Sequence, residues 1–91
     1  MSSRVVVSKF AEKQLNRLPV NIQESLQYWA DSVEWLGIRE VRKYKGYHDE
    51  PLKGLRDGQR SIRLNRSYRA IYIEAADGIE ILVIEVNKHE Y

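Results

Sequence analysis

Arg60-Ser61-Ile62-Arg63-Leu64, then Asn65-Arg66-Ser67, then Tyr68-Arg69-Ala70-Ile71-Tyr72-Ile73-Glu74 reads as two strands joined by a three-residue turn. Both flanks are rich in β-branched and aromatic residues, which suit a pleated, half-buried surface. Asp77-Gly78 is a second turn signal, and Ile79 to Asn87 reads as a third strand. The first turn sets Leu64 opposite Tyr68 and Arg63 opposite Arg69. Like charges in that position destabilise a sheet. Either both side chains splay into water, where salt screens them, or an anion lies between them. We read the pair as an anion site. The second hairpin leaves two registers open. A loop of Ala76-Asp77-Gly78 pairs Ala75 with Ile79 and Arg69 with Glu85, and puts Asn87 and His89 on the face of Arg63 and Arg69. A two-residue turn puts His89 on the other face, because a one-residue slip inverts every side chain.

Working outward, Arg4 to Val7 is a short β-branched strand. Ser8 is placed to cap a helix over Lys9 to Arg17, whose Ala11, Leu15 and Leu18 share one face. Pro19 ends that helix. Asn21 with Glu24 has the spacing of a capping box, opening a second helix in which Ile22, Leu26, Trp29, Val33 and Leu36 form one apolar stripe. Gly37 suits its C-terminal end. Ile38 to Lys45 reads as an added helical turn, and the glycines and proline between Tyr47 and Gly58 mark a loop. The expected fold class is α+β: a β-α-α-β-β-β chain with two N-terminal helices on one face of a small, mainly antiparallel sheet.

Ninety-one residues suit a single domain spanning 1–91. No apolar run approaches a membrane span, and the N-terminus lacks a secretory signal, so we expect a cytoplasmic protein with no membrane partner. Without cysteine there is no disulfide and no thiol chemistry. His48 and His89 are the two histidines, and no spacing of His, Asp and Glu forms a metal site, so no cofactor is expected. The charge is unevenly placed. Leu52 to Arg69 holds Lys53, Arg56, Arg60, Arg63, Arg66 and Arg69 against Asp57 alone, whereas Ala70 to Tyr91 holds Lys88 against five acidic residues. This pattern fits either an anion-binding stripe or a solvated face with cross-strand ion pairs.

Glu50-Pro51-Leu52-Lys53-Gly54, Arg60-Ser61-Ile62-Arg63-Leu64, Tyr68-Arg69-Ala70-Ile71-Tyr72 and Asn87-Lys88-His89-Glu90-Tyr91 together resemble the RelE/ParE toxin superfamily. The resemblance is to its YoeB- and HigB-like ribosome-dependent messenger-RNA endonucleases. It implies a RelE-like fold, cleavage of messenger RNA in the ribosomal A site, and a cognate antitoxin partner. It also implies site residues. Glu50 matches a general base, Arg69 a ligand of the scissile phosphate, His89 a general acid, and Tyr91 a C-terminal aromatic. Lys53 and Arg63 match basic positions lining the site. Arg56, Arg60, Arg66 and Lys88 are read with Lys53 as contacts to RNA or the ribosome.

The chemistry is self-sufficient, since RNA carries its own nucleophile in the 2′-hydroxyl. A base, an acid and cations complete the requirement, and either Glu50 or His89 can take the first proton. Two other readings stand beside this one. A ParE-like inhibitor of DNA gyrase would act by protein contact, and a non-enzymatic RNA- or ribosome-binding module would use the basic residues alone. His48 and Asp49 read as turn residues, and Tyr44, Tyr47, Tyr68 and Tyr72 could stack on bases but read first as half-buried packing.

Overall fold

β-Branching suits Val5, Val6 and Val7 to an extended backbone, and the computed structural model, which describes residues 3–88, places them in β1 (Arg4–Val7). Ser8 turns the chain, its Oγ accepting the Ala11 N–H at 3.1 Å to cap α1 (Lys9–Asn16) as expected. Pro19, with φ fixed at −55°, is the N-cap residue of α2 (Val20–Leu36). Asn21 therefore falls inside the helix, and the expected capping box with Glu24 does not form. Ile22, Leu26, Trp29 and Val33 are buried as their spacing requires. Leu36 is not, because Gly37 at φ 89° redirects the chain into α3 (Ile38–Val41).

Glu50-Pro51 pairs as the short β2 (Glu50–Pro51), where the sequence suggested loop. Proline has no N–H to give a ladder, which restricts it to a sheet edge, and β2 is an edge strand. With β3 (Arg60–Arg63), β4 (Tyr68–Glu74) and β5 (Glu80–Lys88), the sheet order is β1-β5-β4-β3-β2. Every neighbouring pair is antiparallel except β1 with β5, which is parallel.

The first hairpin has the expected register: Arg63 opposes Arg69, and the Leu64 N–H bonds the Tyr68 carbonyl at 2.9 Å. The second differs from both registers considered. The Ala75 N–H donates to the Glu80 carbonyl, so the turn holds four residues, and a bulge follows beside Ile71 and Tyr72. The Asp77 carboxylate organises this turn by accepting the Ile79 and Glu80 N–H groups. The longer turn and the bulge each shift the pairing by one residue, and the two shifts restore the alternation of faces. Arg69 opposes Asn87 rather than Glu85, and Glu85 opposes Ile71.

β5 outruns β1, and α1 covers the edge left over. The Ser8 N–H bonds the Val83 carbonyl at 2.9 Å, and Gln14 Oε1 accepts the Val86 N–H at 2.7 Å. The core lies between the helices and one sheet face, with Trp29 tilted against Tyr72 at 5.4 Å between ring centroids. The sheet face turned away from the helices is left for other work.

Candidate phosphate-binding cleft

Strand alternation decides which residues reach the face away from the helices. Ile62, Ala70 and Tyr72 point into the helix-covered core, so Ser61, Arg63, Arg69 and Ile71 point the opposite way. Glu50 opposes Ser61 on β2, and Asn87 opposes Arg69 on β5, which extends the same face across four strands. Here a cleft of about 190 Å³ is lined by His48, Glu50, Ser61, Arg63, Asn65, Arg66, Tyr68 and Arg69. Three arginines thus share a cleft with one carboxylate.

The electrostatics turn on which carboxylates are already committed. Glu80 pairs with Arg4 at 2.8 Å, Glu74 with Arg42 at 3.0 Å and Glu85 with Arg56 at 2.8 Å. Asp49 pairs with Arg60 at 2.7 Å. The acidic C-terminal strands are therefore balanced by arginines outside the cleft. Among the described residues, Arg63, Arg66 and Arg69 have no ion pair. Arg69 is the most exposed to this deficit, because its Nε is buried and has no hydrogen-bond partner among them.

Asp49, which the sequence suggested was a turn former, is instead almost fully buried beside the cleft. Its Oδ1 meets Arg60 Nε, and its Oδ2 accepts the Tyr72 hydroxyl at 2.6 Å. Burial, reinforced by this carboxylate at its hydroxyl, pushes the Tyr72 phenol well above its ordinary pKa. Arg42 donates to both the Tyr72 hydroxyl and Glu74. The network ties the start of β2, where Glu50 stands, to the core. His48, preceding it, has φ 46° and completes a left-handed turn, so it is a turn residue that also lines the cleft.

The structure thus brings Glu50, Arg63, Arg66 and Arg69 together and adds His48. Lys53 and Lys88 are exposed, and neither lines the cleft. Arg56 and Arg60 are each held by a carboxylate, and Arg60 pairs with Tyr72 on the helix side of the sheet. His89 and Tyr91 lie outside the described residues. Among those residues, no three His, Cys, Asp or Glu side chains come close enough to hold a metal ion, and no helix is long and apolar enough to cross a membrane.

No family model matches the sequence, and no curated protein does. Solved structures do match. The archaeal RelE–RelB complex from Pyrococcus horikoshii contains a chain 24% identical, with a TM-score of 0.74 over 97% of this chain and 96% of that one. This is the RelE-like toxin fold. The toxin–antitoxin complex RelBE2 from Mycobacterium tuberculosis matches at 18% identity and a TM-score of 0.74, covering 98% of this chain and 100% of that one. The YoeB dimer from Staphylococcus aureus matches at 18% identity and 0.70, covering all of both chains. In the RelE-like fold of the present chain, the cleft occupies the sheet face that the helices leave open.

Proposed function

We propose that this protein is the toxin of a type II toxin–antitoxin pair, a cytoplasmic endoribonuclease that cuts messenger RNA in the ribosomal A site. The observation that carries the reading is the Arg63–Arg69 pair, set face to face beside Glu50, with Arg69 Nε buried and unpartnered among the described residues. A phosphodiester supplies the charge and the acceptor that this arrangement lacks.

In the reaction, the 2′-hydroxyl oxygen attacks the adjacent phosphorus, its proton passing to Glu50 or His89. The bond to the 5′-oxygen breaks, and that oxygen takes a proton from the His89 imidazolium, which either held it from the start, with Glu50 as base, or received it from the 2′-hydroxyl and passes it on. The products are a 2′,3′-cyclic phosphate and a 5′-hydroxyl. Arg63 and Arg69 hold the equatorial oxygens as charge builds on them, the kind of preorganised stabilisation worth about 10²–10³ in rate per donor. Arg66 extends the cationic lining of the cleft, whereas Lys53 and Lys88 are exposed outside it and are given the outer contacts with RNA or the ribosome. A phosphate at Arg56 or Arg60 would have to compete with Glu85 or Asp49, and their contacts are assigned to ribosomal RNA phosphates at a distance from the chemistry. Tyr91 is given a stacking or proton-relay part. A cognate antitoxin, such as the RelB partners of the structural relatives, would cover the cleft.

The test is translation in vitro of a defined message with the ends of any fragments mapped. The expected result is A-site cleavage leaving 5′-hydroxyl ends, reduced about 100-fold or more by Glu50→Gln or Arg69→Ala. An intact message under conditions that fill the A site defeats the enzyme reading.

A further inference from the structure

On the other side of Arg63 lies a second hollow of about 400 Å³, lined by Tyr44, Gly46, Tyr47, Arg63, Leu64 and Asn65. Tyr47 and Leu64 pack against the core, so this floor is anchored. Tyr44 lies nearly parallel to Tyr47, at 9° and 6.4 Å between centroids, and is about half exposed. Gly46 leaves open space where a side chain would stand. At the rim, Asn65 Oδ1 is occupied by the Ser67 and Tyr68 N–H groups, so the Asn65 amide offers donors, as Arg63 does. An aromatic floor with hydrogen-bond donors at its lip thus adjoins an arginine cleft.

We infer that this hollow seats an unpaired nucleobase of the strand whose phosphate lies at Arg63 and Arg69. The inference deepens the reading above and rests on it for the identity of that strand as RNA. Single-stranded nucleic acid is held by a cationic track combined with aromatic faces on which bases stack. Arg63 and Asn65 belong to both hollows, so a strand crossing the cleft delivers a neighbouring base to Tyr44 without leaving contact. The tyrosine pair costs little to order, because Tyr47 is packed against the core and Tyr44 lies parallel beside it. The volume lies within the range of small-ligand sites.

The experiment measures binding, independent of cleavage, with an end-labelled RNA tetranucleotide at low salt and with versions carrying one abasic ribose at each position in turn. Wild-type protein should bind the intact strand about tenfold more tightly than one of the abasic strands. Tyr44→Ala should erase that difference, and Tyr44→Phe should preserve it. Because Tyr44 is exposed, the melting temperature of both variants should stay within a few degrees of wild type. Equal affinity for all strands, no measurable binding by wild type, or a Tyr44→Ala loss of equal size on intact and abasic strands overturns the inference. So does unchanged RNA affinity, in which case the hollow belongs to a protein partner. Tyr44-dependent binding without any cleavage on ribosomes sustains the base seat and defeats the nuclease reading. Cleavage by a Tyr44→Ala variant with unaltered RNA affinity does the reverse.

Discussion

Arg63 and Arg69 face each other across paired strands, and each lacks an ion pair among the described residues. The folded chain bears both their repulsion and the buried Nε of Arg69, a group whose lost hydrogen bond costs on the order of 1–3 kcal/mol. Arg69→Ala should therefore leave the melting temperature unchanged or raised while cleavage falls about 100-fold or more, read from thermal unfolding beside the translation assay. A fall in both would make Arg69 a structural residue. Asp49 is the opposite case, a buried charge with Arg60 and Tyr72 hydrogen-bonded to it and Arg42 nearby. Asp49→Ala strands those partners and should cost about 3–5 kcal/mol in urea unfolding. The facing arginines could be read from the turn between them. Asp49 could not, because its partners arrive from the end of α3, β3 and β4, and an aspartate in a Tyr-His-Asp loop looks locally like any turn former.

At the scale of elements, hydrophobic period and capping chemistry account for most of what forms. The 4,3,4 spacing from Ile22 to Val33 in α2 and the Ser8 cap of α1 are local effects, and both appear, while Leu36, the next step, stays exposed. Failures came where competing local signals met. Pro19 caps the helix two residues before Asn21 could, and edge geometry admits Pro51 into a strand. The second hairpin is the instructive one. Asp77 caps its four-residue turn, α1 lies against β5 near its bulge, and only the sum of turn and bulge puts Asn87 opposite Arg69. Gln14 holds the Val86 N–H just beyond that bulge. Gln14→Ala should leave this N–H unsatisfied, lowering stability by about 1–3 kcal/mol and speeding amide exchange at Val86. Exchange at Val86 equal to wild type would show that the bulge stands without α1.

For the whole molecule, stability and charge are joined through Tyr72. Its folded-state pKa stands above the ordinary value of 10.0. The unfolded chain therefore ionises first as pH rises. The Tyr72 contribution is complete below about pH 10 and is lost progressively above it. Melting temperature should fall as pH rises above about 10, and Tyr72→Phe should flatten part of that fall; an identical slope in the variant would assign the loss to other groups. The same network, with the Arg4–Glu80 and Arg56–Glu85 pairs, uses the acid of the C-terminal strands on arginines outside the cleft. Local sequence dictates the order of elements apart from β2, the amphipathic stripe up to Val33, the facing arginines and an excess of positive charge before Arg69. Those depend on neighbours along the chain, through periodicity, turn length and capping. Only tertiary contacts settle which arginines stay unpaired and that His48 and Glu50 join them, because Glu74, Glu80, Glu85 and Asp49 reach their arginines from segments at least 11 residues away along the chain.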